Sequence, residues 1–222
     1  MIKISSFIEI FPQLSRGMGI TIIILIGSAI FSYVTAFIAG FLRLSKRKFV
    51  RGATTVYVEI FRGTSLIVQL FWFSYALPML FGIRIGSDIL AAVLAISLNY
   101  GAYLSEIVRG SILSVAKGQT EAGIALNMTP FQRMRIVILP QAVRMMLPEF
   151  GNYLIQMLKA TSLVSLIGLT DVLYYGSILR SSNIAIESTV YLVILIFFFI
   201  IALPLIWLTR RLEEFSKKGV ET

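Results

Sequence analysis

The sequence predicts an all-α membrane protein with five transmembrane helices. Of its 222 residues, 57% are hydrophobic and 14% are charged, whereas soluble domains are nearer one half apolar and one quarter charged. The mean hydropathy is +0.87. Uncharged apolar runs of about 20 residues, the length that crosses a bilayer as a helix, recur along the chain. In lipid such helices satisfy their own backbone, so we treat residues 1–222 as a single transmembrane domain.

Five apolar runs define the predicted spans, and alternating strands of the membrane-barrel type are not seen. The first run is too long for the apolar region of a signal peptide, and no small-residue cleavage site follows it. The spans cover approximately residues 17–42, 62–83, 89–107, 148–169 and 188–209.

Positive charge predicts the orientation of the chain. Of the 20 Lys and Arg residues, 14 lie in the segments that follow the first, third and fifth spans. Such segments face the cytoplasm, so we expect the N-terminus outside and the C-terminus in the cytoplasm. The net charge of +9 is then explained by topology and by attraction to the anionic lipid bilayer, and it predicts no nucleic-acid partner.

The composition excludes several kinds of chemistry. The sequence has no Cys and no His, which removes disulfides, zinc sites with Cys or His ligands, haem ligation by these residues and every catalytic triad that needs an imidazole. It also lacks the G-x-x-x-x-G-K-[ST] phosphate-binding loop. We therefore expect no catalytic residue, cofactor or metal site in this chain, and it is not predicted to be an enzyme.

The longest connection, about residues 109–147, has helical structure of its own, as long loops often do. Residues Ser111 to Met128 are mostly helix formers, and Asn127 fits the left-handed conformation that ends many helices. A helical hairpin that projects into the cytoplasm is therefore expected.

The second half of the hairpin begins with a capping signal. Thr129 fits an N-cap, Pro130 fits the first helical position and Gln132 fits the reciprocal side of a capping box. We expect this second helix to be ended or kinked at Pro140.

The hairpin has two interpretations on physical grounds alone. It is either a connector that packs on its own bundle or a docking element for a cytoplasmic partner. The turn offers apolar Leu126, Met128 and Phe131 among polar neighbours, which suits insertion into a groove on another protein.

Three segments resemble a known family. Residues 121–140, EAGIALNMTPFQRMRIVILP, resemble the EAA loop of ATP-binding-cassette importer permeases of the type I class. Residues 58–72, VEIFRGTSLIVQLFW, and 139–165, LPQAVRMMLPEFGNYLIQMLKATSLVS, are similar to the polar-amino-acid branch of that family. The chain departs from the usual pattern at Gly123, the third residue of the Glu-Ala-Ala triplet, at Asn127 in place of glycine, and at Ser65 in place of proline.

The resemblance implies an ATP-driven importer in the bacterial cytoplasmic membrane. Two permease chains, identical or homologous, form the pathway, and an extracytoplasmic binding protein delivers a polar amino acid. Two separate ATPase subunits, which use ATP and Mg²⁺, dock on the EAA loops and drive alternating access. Related zwitterions such as ectoines or opines are the alternative substrates. The implied coupling residues are Glu121, Ala122, Gly123, Leu126, Asn127, Met128 and Pro130.

Polar side chains within the spans are costly in lipid, so each is a functional candidate. Glu149, Asn152, Gln156 and Lys159 follow one another by 3, 4 and 3 residues and share one helical face. This stripe, with Asn99 on the third span, is a candidate substrate path. Its alternative is an interface between two permease chains, where the groups satisfy each other.

On the third span, Glu106 and Arg109 are spaced for a helical ion pair.

Two other function classes are less favoured. A stand-alone secondary transporter or channel predicts an inverted repeat or a gated pore, but five spans do not divide into equal halves and no internal repeat is seen. A membrane-embedded enzyme predicts paired catalytic groups, and no two carboxylates lie within one helical turn inside a span.

Overall fold

The computed structural model describes residues 4–182 and 186–217, and this part of the chain is helical, without strands. The α-helices are α1 (Ile4–Ser15), α2 (Met18–Arg43), α3 (Lys48–Gly63), α4 (Leu66–Phe71), α5 (Leu77–Phe81), α6 (Asp88–Ser114), α7 (Lys117–Ala125), α8 (Pro130–Arg133), α9 (Leu139–Thr161), α10 (Val172–Ser182) and α11 (Glu187–Lys217). A π-helical turn, Trp72–Ala76, joins α4 to α5, and a second, Met134–Ile138, joins α8 to α9. A 3₁₀ segment, Ser162–Ile167, extends α9.

Three helical stretches are long and apolar enough to cross a membrane, namely Ile10–Arg43, Asp88–Ser114 and Glu187–Lys217. Two bent pairs raise the number to five if each counts as one span. Lys48–Gly63 and Leu66–Phe81 meet at 106°, and Pro130–Ile167 and Val172–Ser181 meet at 49°. The all-helical class is confirmed, and the chain has the apolar helices of a multi-pass membrane protein.

Helices α2 and α6 form the most extensive helix–helix contact of the described residues, and small residues lie where they meet. A Cβ atom at Gly101 would lie 2.9 Å from the Cβ of Thr35, and one at Gly40 would lie 2.7 Å from a methyl group of Val108. Small residues allow membrane helices to approach in this way. Helix α9 packs against this pair, and its buried Met157 completes the central core.

The predicted second span, 62–83, contains a sharp break. Helix α3 ends at Gly63, Thr64 and Ser65 are extended, and α4 begins at Leu66. The segment is thus the second half of a broken helix rather than one straight span.

Two details of the predicted hairpin are wrong. The helix expected from Ser111 to Met128 is divided, because α6 continues to Ser114 and the backbone at Val115 and Ala116 is extended before α7 begins. Pro140 does not end a helix, because helical backbone continues from α8 through the π-helical turn Met134–Ile138 into α9. Proline has no N–H to donate within this continuous helix, and the π-helical turn directly before it accommodates the irregularity.

Candidate functional site: a polar cleft and an exposed hairpin

A cleft of about 370 Å³ lies where the α3–α4 break faces α6 and α9. This volume is in the range of small-molecule sites. Tyr153 lies between two other tyrosines of the cleft, with ring centroids 6.1 Å from Tyr100 and 6.2 Å from Tyr103. The lining residues are Thr64, Ser65, Leu66, Asn99, Tyr100, Tyr103, Tyr153 and Gln156.

The break is held by two buried amides, Gln69 and Asn99, which we call the Gln69–Asn99 clasp. Nε2 of Gln69 donates to the carbonyl oxygen of Phe61 at 3.0 Å and to the hydroxyl of Thr64 at 2.7 Å. Nδ2 of Asn99 donates to the same Phe61 carbonyl at 2.9 Å and to Oε1 of Gln69 at 3.1 Å. The last carbonyl groups of a helix have no hydrogen-bond donor within the helix. The two amides of the clasp donate to one of these carbonyls at the end of α3.

Asn99 is a predicted residue of the substrate path, but its amide group has a structural role. Its Nδ2 donates both of its hydrogen bonds within the chain, so Asn99 stabilises the break rather than offering a donor to the cleft. Gln69 was not among the predicted site residues. The sequence does indicate Gln69 as a candidate, because it is a polar residue inside an apolar run.

An ionic cluster lies beside the cleft around Glu106. The expected pair with Arg109 is confirmed at 3.1 Å, and Arg43 of α2 and Arg62 of α3 bind the same carboxylate, Arg62 at 3.2 Å. The Arg62 guanidinium also lies 5.3 Å from the ring centroid of Tyr103, and the Tyr103 hydroxyl donates to the Arg62 carbonyl oxygen at 3.0 Å. The cluster therefore joins three helices to one wall of the cleft.

The polar stripe of α9 lies on the open surface of the single chain. Glu149, Asn152, Gln156 and Lys159 are all exposed. Gln156 also lines the cleft, but Lys159 lines a separate, mainly apolar groove of about 400 Å³ between α9 and α11. Of the five predicted path residues, the structure brings Asn99 and Gln156 together.

The hairpin turn is closed by backbone hydrogen bonds between near neighbours. The N–H of Met128 donates to the carbonyl of Gly123 and the N–H of Asn127 to the carbonyl of Ile124, both at 2.9 Å. Asn127 has a φ of 56°, so the predicted left-handed residue is confirmed, and the pair of bonds is a Schellman motif.

The predicted capping box at the start of α8 is also confirmed. The N–H of Gln132 donates to the Thr129 hydroxyl at 3.3 Å, and the N–H of Thr129 donates to Oε1 of Gln132 at 2.9 Å. Pro130 occupies the first helical position.

The tip of the hairpin is exposed, whereas its base is packed. Leu126 is 75% exposed and Phe131 is 72% exposed. Glu121, Ala122, Asn127 and Pro130 are also exposed, Met128 is half-buried and Gly123 is buried.

At the base, Ile112 near the end of α6 belongs to the central core, against which Met134 and Ile138 pack. The hairpin is thus joined at its base to α6 and α9, two of the helices that line the cleft.

Comparison with known proteins places this architecture in a family. The family model described as "Binding-protein-dependent transport system inner membrane component" matches residues 32–217. A probable amino-acid ABC transporter permease of Sinorhizobium fredii is 46% identical over 205 residues, which cover 90% of this chain and 86% of the relative. The glutamine transport system permease GlnP of Escherichia coli is 37% identical over 207 residues, which cover 93% and 94%.

Solved structures support the same family assignment. In the crystal structure of an amino acid ABC transporter with histidines, one chain matches with a TM-score of 0.88 and 31% identity, and the match covers 96% of this chain and 99% of that one. A chain of the MetNI methionine ABC transporter in an inward-facing conformation shares the fold, with a TM-score of 0.66, 20% identity and coverage of 90% and 95%. The chain described here therefore belongs to the binding-protein-dependent transport system inner membrane components, and its relatives in that family include amino-acid ABC transporter permeases.

Proposed function

We propose that this chain forms the transmembrane pathway of an ATP-driven amino-acid importer and receives its driving force through the α7–α8 hairpin. The observation that supports this most directly is the connection between the hairpin and the cleft. An exposed apolar tip sits on a packed base, and that base continues into α6 and α9, which line the cleft.

The proposed mechanism is conformational and makes no covalent bond in this chain. Two separate ATPase subunits bind ATP and Mg²⁺ and dock on the tips of two permease hairpins in the cytoplasm. When the ATPase pair closes, each hairpin moves with its docked subunit and shifts α6 and α9 together. The cleft then alternates between the two sides of the bacterial cytoplasmic membrane. This geometry requires the N-terminus outside and the C-terminus in the cytoplasm.

The proposed substrate is a polar amino acid, delivered by an extracytoplasmic binding protein. A cleft with three tyrosines, two hydroxyl side chains and the amide of Gln156 offers polar groups and aromatic faces to a small zwitterion. The relatives are named for glutamine and L-cystine. Ectoines and opines share the zwitterionic chemistry and are the alternative substrates.

The exposed polar stripe of α9 supports the proposal that a second permease chain covers this face. Four exposed polar or charged side chains on one membrane-level helix are unfavourable against lipid, and Lys159 alone would cost about 2.5–3.5 kcal/mol near the bilayer centre. A covering chain, identical or homologous, removes that cost and leaves the stripe either at the interface or along a shared path. A self-sufficient secondary transporter is less favoured, since it leaves the hairpin tip without a role.

The experiment is affinity purification of the tagged chain from its native membrane, followed by assay of the recovered complex for ATPase activity and amino-acid uptake in vesicles. Leu126→Asp and Glu121→Lys should lose the co-purified ATPase and uptake, because both alter the exposed tip. Leu126→Met and Glu121→Gln are the matched controls and should retain both.

All four variants should unfold at the wild-type temperature, because these side chains are exposed in the single chain. Retention of the ATPase and of normal uptake by both disruptive variants would show that the hairpin is not the docking element. Uptake by the chain alone in ATP-free vesicles would favour the self-sufficient transporter.

A further inference from the structure

The corner between α2 and α3 exposes a dense group of cations around one aromatic ring. Lys46, Arg47, Lys48 and Arg51 are all exposed. Phe49 lies among them and is 87% exposed, more than the other large apolar side chains of the described residues. We call these five residues the basic corner.

The fold itself does not account for this charge. Within residues 4–182 and 186–217, none of the four cations forms an ion pair, and no acidic residue occurs in the sequence between positions 10 and 58. Arg43, at the end of α2, differs, because Glu106 neutralises it. Positive charge in the first turn of a helix opposes the helix dipole, so the cations do not stabilise α3 either.

The position of the corner relative to the bilayer follows from the length of α2. This helix has 26 residues, about 39 Å at 1.5 Å per residue, and the hydrocarbon core of a bilayer is about 30 Å thick. The basic corner begins three residues after α2 ends, so an α2 that crosses the bilayer places it at the level of the lipid headgroups. Phe side chains beside clustered Lys and Arg residues enter the boundary between headgroups and acyl chains at the same level.

We propose that the basic corner binds the headgroups of anionic phospholipids, such as phosphatidylglycerol. The four cations pair with headgroup phosphates, and the Phe49 ring enters the boundary between headgroups and acyl chains. The proposal rests on α2 crossing the membrane, and the interaction requires neither the ATPase nor the substrate. It differs from the influence of positive charge on topology, which acts during insertion, because headgroup binding persists at equilibrium in the purified protein.

The test uses the purified full-length chain in mild detergent, titrated with phosphatidylglycerol or phosphatidylcholine, with bound lipids counted by native mass spectrometry. The wild type should prefer phosphatidylglycerol, and this preference should weaken as salt is raised. Each single neutralisation, K46Q, R47Q, K48Q or R51Q, should weaken phosphatidylglycerol binding about fivefold, the effect of one basic residue near an anionic surface. F49S should weaken binding without changing its salt dependence.

The matched control is R210Q/R211Q, which removes the same net charge as K46Q/R47Q but from the end of α11. There Arg211 pairs with Glu214 at 3.4 Å and acidic residues follow closely in the sequence, so the lipid preference should be unchanged. The effect of this control is compared with that of K46Q/R47Q, which removes two cations from the basic corner. K46R/K48R keeps the charge of the corner and should bind phosphatidylglycerol as the wild type does. An equal loss in K46Q/R47Q and R210Q/R211Q would show a net-charge effect and overturn the proposal. Unchanged binding in all the single neutralisations would overturn it even if the double variant failed to insert.

Discussion

The α3–α4 break and the α7–α8 hairpin both interrupt helical backbone, but they are stabilised in opposite ways. The hairpin turn is closed by hydrogen bonds between residues no more than five positions apart. The break is closed by Gln69, whose partners lie five and eight positions away, and in addition by Asn99 of α6, which lies 30 residues from Gln69 and 38 residues from Phe61 along the chain. The hairpin can therefore keep its local shape when its surroundings change, whereas the shape of the break depends on how α6 packs against it. In the proposed mechanism, the locally closed hairpin is the coupling element, and the break closed from α6 is the part of the cleft that responds to helix movement.

The largest expected effect comes from opening the clasp. Gln69→Leu and Asn99→Leu each leave buried polar groups without partners, and each should lower the free energy of unfolding by about 1–3 kcal/mol. Thermal unfolding of the purified protein in detergent measures this loss. The double variant should lose less than the sum of the single losses, because each substitution removes a group that the other leaves unpaired.

Gln156→Leu is the matched control for the clasp. It makes the same chemical change at an exposed position of the same cleft and should alter the free energy of unfolding by no more than about 0.5 kcal/mol. Strictly additive losses in the double variant would mean that the two amides act independently and that the break is held by other contacts.

An intermediate effect is expected at the hairpin turn. Asn127→Val places a β-branched residue at a φ of 56°, a conformation that costs an ordinary residue about 1–2 kcal/mol. Asn127→Gly should cost nothing, because glycine adopts this conformation freely. Hydrogen exchange of the amides in residues 117–133 measures the change, and Asn127→Val should accelerate exchange there about tenfold.

Exchange of the amides around the α3–α4 break should not be accelerated through local opening in either Asn127 variant, because the turn is closed by residues near one another. If Asn127→Val accelerates exchange at the break as much as a clasp variant does, the distinction between local and long-range closure fails.

The same difference explains what could be predicted from the sequence. The turn at Asn127 and the cap at Thr129 depend on residues next to one another, and both predictions are confirmed. The Glu106–Arg109 pair, three residues apart, is confirmed for the same reason. Arg43 and Arg62, which bind the same carboxylate from other helices, were not predicted, since pairs of that kind depend on how helices pack.

The cleft shows more clearly what helical periodicity in a sequence cannot predict. Helical periodicity placed Gln156 and Lys159 on one face, but it could not show that a tyrosine-lined cleft and an apolar groove lie on different sides of that face. The break between α3 and α4 was also missed, because its sequence continues an apolar run and one of its two stabilising amides, Asn99, lies in another helix. The predicted helix boundaries failed where a π-helical turn at 134–138 and an extended pair at 115–116 replaced regular helix, which composition alone does not indicate.

The smallest expected effect concerns Gly123, where the chain departs from the Glu-Ala-Ala pattern. Alanine should stabilise α7 by up to about 1 kcal/mol through helix propensity, but its Cβ would lie 2.9 Å from Cδ of Arg133. The two effects oppose each other, so Gly123→Ala in the wild-type background should change amide exchange in α7 less than threefold. In an Arg133→Ala background the contact is absent, and the same substitution should slow exchange about fivefold. Equal slowing in both backgrounds would show that the Arg133 side chain moves aside without cost, and glycine at this position would then have no packing explanation. Unequal slowing would mean that even this local hairpin contains one contact, between α7 and the end of α8, that its helix-forming pattern does not predict.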